Sequence, residues 1–274
     1  LPAKFTDVAP RYPEHRTGEG FQRHPGGQDP HARIKEMATD GVSAEVLYPT
    51  LMLPLFSLDD PELERACFRV YNDWLIEYCS VNPRQLVGVG GISVYDMDLA
   101  IAEVERCHKA GLKGVIIWQA PHPDLPFRSD HYNRLWDVCQ DLEMPISLHI
   151  LTGWNYSKGG FRNKGVEQYR DSVNHKLLDG ANAVFDFIFY GILERWPNLK
   201  IVVVENEVGW IPFLLQQWDY YHNRFKVENP LPIAEKPSFY FERQVFATFF
   251  NDAVGGYNLA RWGGDNCMWS NDFP

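Results

Sequence analysis

No tract of five or more basic residues occurs in this sequence, and its formal net charge is −10 with a pI near 5.4. Acidic surfaces without a basic patch are repelled by phosphate backbones and anionic headgroups, which argues against nucleic-acid and membrane partners. No apolar run approaches the ~20 residues that cross a bilayer. The opening LPAKFTDVAP carries no signal-peptide core, so a cytoplasmic location is expected. Cysteine pairing is also missing: Cys67, Cys79, Cys107, Cys139 and Cys267 are odd in number, widely spaced and without a C-x-x-C pair. They read as small core residues rather than as disulfides or zinc ligands. Neither G-x-G-x-x-G nor G-x-x-x-x-G-K-[ST] follows any strand pattern, which removes the usual phosphate-binding loops.

What is present is an alternation. The chain has 274 residues, 45% of them hydrophobic, enough for one large α/β barrel or two ordinary domains. Nearly continuous apolar runs at 43–50, 86–93, 114–118, 145–150, 200–205, 241–250 and 266–270 suit strands covered on both faces. Helical patterns lie between most of them. One is capped by Asp60 with Pro61 in its first turn, its apolar face drawn as Leu63, Cys67, Val70, Tyr71, Trp74, Leu75 and Tyr78; one ends at His108, Lys109 and Gly111; one has Ser129 as its cap; two more are expected at 172–196 and 208–224. Strand and helix in turn imply a parallel sheet with crossover helices. Seven strands are one short of a (β/α)8 barrel, so the choice lies between an open doubly wound sheet and a barrel with one strand outside the sequence. Without nucleotide-binding loops the barrel is favoured: a single domain over 1–274, an irregular segment over 1–30, and a rim loop or lid over 151–170.

Barrel chemistry sits where strands end. Three ends carry groups suited to a divalent metal: His149 in ISLHI, Glu205 in VVVEN and Asp272 in MWSND. An ion held there would lower the pKa of its water from about 15.7 to about 7 and polarise a carbonyl or carboxylate. Each residue has an ordinary reading too, His149 as a hydrogen-bonded core histidine and the acids as helix caps, with Asn206 or Glu207 as further cap candidates. Trp118 with Gln119, Tyr48 with Thr50, Trp154, and Asn251 with Asp252 also stand at strand ends, where aromatics fit a planar substrate or simple rim packing. His175 reads as an acid/base group or a solvated helix residue, and His122, in PHPDLP, as structural. Glu205 and Glu207 as a metal-free carboxylate pair for glycoside hydrolysis is a weaker alternative, because NEVGW reads as a turn.

The stretches DGVSAEVLYPT, RVYNDWLIEYCSVNPRQLVGVGGI, GLKGVIIW, MPISLHILTG, ILERWPNLKIVVVENEVGWIPFLLQQWD and WSNDFP, in this order from about residue 29 to the end, resemble the amidohydrolase-related family of aminocarboxymuconate-semialdehyde and γ-resorcylate decarboxylases. The resemblance implies a (β/α)8 TIM-type barrel of the metal-dependent hydrolase superfamily with one divalent ion, zinc first and manganese second. It implies a hydrolase or non-oxidative decarboxylase acting on a small aromatic or unsaturated carboxylic acid, in a dimer or tetramer. By position, His149 matches a metal ligand, and Asp272 a ligand that is also the acid/base group. Glu205 stands where many members have a histidine; it can accept a proton or bind metal but cannot be a cationic acid. Relatives begin with a strand bearing a D/E-x-H motif and continue past the final DxP, so the sequence is expected to be clipped at both ends. The competing expectation is a metal-free barrel acting as a ligand-binding or interaction protein.

Overall fold

The computed structural model describes residues 25–154, 156 and 164–272. Seven short strands form one parallel sheet: β1 Glu45–Leu47, β2 Leu86–Gly91, β3 Gly114–Ile117, β4 Ile146–His149, β5 Ile201–Val204, β6 Val245–Phe249 and β7 Cys267–Trp269. Their spatial order is β1-β2-β3-β4-β5-β6-β7. A doubly wound sheet reverses its strand order partway; this one never does, which is the winding of a barrel. The result is a curled sheet of seven staves, with β1 and β7 as its edges among the described residues.

Among the described residues, eight α-helices of eight or more residues cross between the staves or flank them: α1 Pro30–Thr39, α2 Pro61–Ser80, α3 Met97–Lys109, α4 Asn133–Asp141, α5 Lys176–Phe189, α6 Ile211–Phe225, α7 Pro237–Gln244 and α8 Ala253–Trp262. Aspartates start four of them. Asp29 accepts from His31 N, Asp60 from Leu63 N, Asp96 from Asp98 N and Leu99 N, and Asp252 from Gly255 N. No described helix is long and apolar enough to cross a membrane.

Parallel register fixes which residues share a face. Ile116 pairs with Ser147, Ser147 with Val202, and Val202 with Phe246, while His149 pairs with Val204 and Thr248 with Met268. These side chains therefore form the inner face of the curl. The opposite face carries the helices: a Cβ on Gly88 or Gly90 would run into Leu112 together with Leu75, Cys79 or Cys107. A fully buried aromatic cluster links α4 and α5: Phe127 meets Tyr132, Trp136 and Phe187, and Trp136 meets Tyr132 and Phe187.

Four local expectations are revised. The run 241–250 is half helix: Pro237 opens α7, Tyr240, Phe241 and Gln244 bury one helical face, and the strand starts only at Val245. The buried face of α2 is rotated from the apolar one: Glu64, Phe68, Asn72, Leu75 and Cys79 point inward, while Val70 is 70% exposed. Asn72 explains the rotation. Its amide donates to Gly91 O at 2.9 Å and accepts from Gly91 N at 2.8 Å, matching the backbone at the end of β2 as an apolar side chain could not. Ser129 makes no cap bond, because a 3₁₀ turn over Asp130–Tyr132 precedes α4. Neither Asn206 nor Glu207 caps α6; the amides of Val208 and Gly209 go instead to the Asp252 carboxylate. All five cysteines are free thiols. Of the expected lid, residues 155 and 157–163 lie outside the described part.

Candidate active site

At the C-terminal end of β4, the imidazole of His149 is 2% exposed and its Nδ1 lies 2.7 Å from the carbonyl of Ile150. A carbonyl only accepts, so Nδ1 carries a proton, and in the neutral ring Nε2 presents its lone pair. That lone pair faces a second acceptor, Glu205 Oε1, at 3.6 Å. The distance is too long for a hydrogen bond, so a shared proton does not account for it. Two donors about 2.1 Å from a common divalent ion, roughly 120° apart, are separated by about this amount. The chemistry and spacing of the pair fit a metal ion.

Glu205 reaches this place by leaving the strand pattern. Simple alternation would send residue 205 to the helix side with Ile201 and Val203. Instead its φ is 60°, in the left-handed region, and the same is true of Glu207. Such backbone costs a non-glycine residue roughly 1–3 kcal/mol. Thr248, on the inner face of β6, accepts from Glu205 N at 2.8 Å and fixes the start of the turn.

Tyr48, just beyond β1, completes the inner wall. Its ring centroid is 5.5 Å from that of His149, and its hydroxyl lies 2.9 Å from Ser147 Oγ. Burial pushes the phenol up to about 12, with the Glu205 charge adding to the shift and Ser147 opposing it. The group is therefore a neutral hydroxyl at ordinary pH.

The loops after β3 and β4 run side by side. Gln119 N donates to both the carbonyl and Oγ1 of Thr152, at 2.6 and 2.9 Å, and Trp154 N donates to Ala120 O at 3.0 Å. Trp154 is half-buried and meets His122 edge-on with centroids 4.4 Å apart, and His122 in turn meets Tyr95. Trp118 is fully buried; its indole donates to Tyr132 OH at 3.0 Å and packs on Tyr95. In this structure it supports the aromatic wall from behind rather than opening onto solvent.

The other expected residues are placed differently. Asn251 is half-buried just past β6, next to the capping Asp252. His175 is exposed at the end of a π-helical turn, Arg170–His175; burial raises the carboxyl of Asp179, and His175 only partly offsets that rise. Asp272 is exposed, with φ 52°, three residues past the edge strand β7. Among the described residues no three His, Cys, Asp or Glu side chains converge on one ion position. The expected trio is thus a His149–Glu205 pair among the described residues, where β7 is a three-residue edge stave. Ser147 and Thr248 were not singled out as site residues from sequence; the signal was a polar residue on the inner register of an otherwise apolar strand.

A sequence model described as amidohydrolase matches residues 8–274. Among characterised proteins, the chain is similar to a γ-resorcylate decarboxylase from Polaromonas sp., with 23% identity over 261 residues, covering 88% of this chain and 76% of that protein. It is also 23% identical over 200 residues to 2-amino-3-carboxymuconate-6-semialdehyde decarboxylase from Dictyostelium discoideum, covering 71% of this chain and 52% of that protein. Among solved structures it is similar to 5-carboxyvanillate decarboxylase from Novosphingobium aromaticivorans complexed with manganese and 4-hydroxy-3-methoxy-5-nitrobenzoic acid. That match has a TM-score of 0.75 and 19% identity, covering 99% of this chain and 80% of that one.

Proposed function

The chain belongs to the amidohydrolase family, and from that premise we propose that it is a metal-dependent carboxy-lyase acting on a small aromatic or unsaturated carboxylic acid. The observation that carries the proposal is the pair of facing acceptors, His149 Nε2 and Glu205 Oε1, held 3.6 Å apart with the histidine tautomer already set. His149 and Glu205 would hold a divalent ion, and Asp272, which does not converge with them in this structure, would be its third donor. An imidazole with carboxylates suits either zinc or manganese, and manganese is named in the similar carboxyvanillate enzyme. When bound, such an ion would supply a fixed positive charge that steadies an anionic substrate.

The protein's own groups do the rest. Tyr48 and the Trp154–His122–Tyr95 wall offer flat, largely apolar surfaces suited to a planar ring. Tyr48, neutral and bonded to Ser147, does not compete for the ion as a phenolate would. Asp272 is assigned as the acid: its proton goes to the ring carbon bearing the carboxylate, the electron pair of the breaking C–C bond ends in the new C–H bond, and CO₂ leaves.

The test is direct. Purified protein should contain one equivalent of metal, and release CO₂ from 2,6-dihydroxybenzoate or 5-carboxyvanillate or a close analogue. Asp272→Asn should lose at least 100-fold in rate while still binding the acid, and His175→Ala should change it by less than about threefold. Protein without stoichiometric metal, or an Asp272→Asn variant as active as the parent, would overturn the reading in favour of a metal-free ligand-binding barrel.

A further inference from the structure

Glu205 and Glu207 both sit at φ 60°, and between them lies Asn206, with no exposed surface at all. A buried asparagine between two left-handed glutamates needs an account of every polar atom it carries. Its Nδ2 donates to Val204 O at 2.8 Å and to Gln119 Oε1 at 3.2 Å, its Oδ1 accepts from Gln119 Nε2 at 2.9 Å, and its backbone carbonyl accepts from Trp210 Nε1 at 2.7 Å. The two primary amides are thus bonded reciprocally. Gln119 is 3% exposed.

The position of this pair is what gives it meaning. Gln119 follows β3 and Asn206 follows β5, and β4, which carries His149, runs between those strands. Gln119 is also tied to β4: its backbone amide donates to Thr152 Oγ1, and that hydroxyl donates to His149 O at 2.6 Å. One residue therefore connects the stave end bearing His149 to the turn bearing Glu205. Gly180 of α5 closes the back, since a Cβ there would collide with the Asn206 amide.

The geometry points to Gln119 and Asn206 as positioning residues that hold Glu205 in its left-handed conformation and so aim its carboxylate at His149. This rests on the metal-binding reading above. Neither amide touches the ion or the substrate in it; each acts through Glu205. Supporting groups of this kind typically alter metal affinity 10- to 100-fold when removed.

The experiment compares the parent protein with Gln119→Met, Asn206→Leu, the double variant, and Glu205→Gln. Each is measured by Mn²⁺ titration followed by electron paramagnetic resonance, and by amide hydrogen exchange of the metal-free protein over 204–209. Gln119→Met should weaken Mn²⁺ binding by about 10- to 100-fold. It should also speed exchange at 205–208 by about tenfold or more, while β2 and β3 keep parental protection. In the double variant, Gln119→Met should add almost nothing to the loss caused by Asn206→Leu, because the pair is already broken. If Gln119→Met does not fold, Gln119→Ala, which admits water in place of the amide, takes its place.

Parental exchange at 205–208 in the Gln119 variant would overturn the proposal. So would faster exchange with unchanged Mn²⁺ affinity in a parent that binds the ion, since the pair would then be structural only. If the parent itself binds no Mn²⁺ but exchange still rises at 205–208, the metal reading fails while the hold on the Glu205 backbone stands. If Glu205→Gln abolishes binding and the Gln119 variant alters neither quantity, the metal reading stands and the positioning role fails.

Discussion

Glu64 offers the sharpest quantitative test of how this protein is built. It lies in the first turn of α2 with no exposed surface, and neither carboxyl oxygen has a hydrogen-bond partner. Ser93 is near enough to lower its pKa somewhat but lies outside bonding geometry. Burial dominates and raises the group from its ordinary 4.5 to about 7. A carboxyl whose pKa is raised on folding is one the native state accepts neutral. Its contribution is intact below pH 4.5 and is lost as pH climbs through 7. The gap between 4.5 and about 7, at about 1.4 kcal/mol per pH unit, comes to about 3 kcal/mol. Glu64→Gln keeps the shape and removes the ionisation. The variant should therefore gain about 3 kcal/mol on the parent between pH 4.5 and pH 8, equivalent to about 6–10 °C in Tm for a domain of this size. Thermal melts of both proteins at pH 4.5, 6, 7 and 8 measure it. Any cost of the buried amide is the same at every pH and cancels in the difference, as do all other titrating groups. A Tm difference that stays constant from pH 4.5 to pH 8 would refute the reasoning.

Other outcomes follow from the same structure. Tyr48 is raised to about 12, so its contribution is complete below pH 10 and disappears towards pH 12; Tyr48→Phe should lose about 2–3 kcal/mol less than the parent across that interval in urea melts, provided Glu205 is intact. Asp60→Ala removes the 3.0 Å cap bond to Leu63 N and should cost about 1 kcal/mol, seen as a lower urea midpoint at unchanged m-value. Asn72→Leu leaves both polar groups of Gly91 without their buried partner and should cost about 2–4 kcal/mol by the same assay, against less than 0.5 kcal/mol for Val70→Ala on the exposed side of the helix.

The barrel winding was legible because both of its ingredients are local. Apolar runs too short for helices alternate with helical periods, and Asp60 and Asp252 announce helix starts or strand ends by their type alone. His149 and Glu205 were legible for a related reason, being polar groups at the ends of apolar strands. What sequence periodicity missed was set by contacts between distant segments. The buried face of α2 is chosen by Asn72 meeting Gly91, 19 residues away, so hydrophobic counting picked Val70 and Trp74 instead. The strand at 241–250 gave way to α7 because Gln244 finds the carbonyls of Trp196 and Leu199, which no local pattern contains. Asp272 is the reverse case: its position along the chain was clear, but convergence on His149 depends on what borders β7.

The left-handed pair at Glu205 and Glu207 also has a meaning for protein engineering. Glycine or asparagine would occupy those two conformations at little cost, so substitutions there should raise thermal stability by about 1–3 kcal/mol each. At residue 205 the same change removes the carboxylate that faces His149. A selection for heat resistance alone would therefore tend to erase the site from this turn first, and a selection for turnover would restore it against the preference of the backbone.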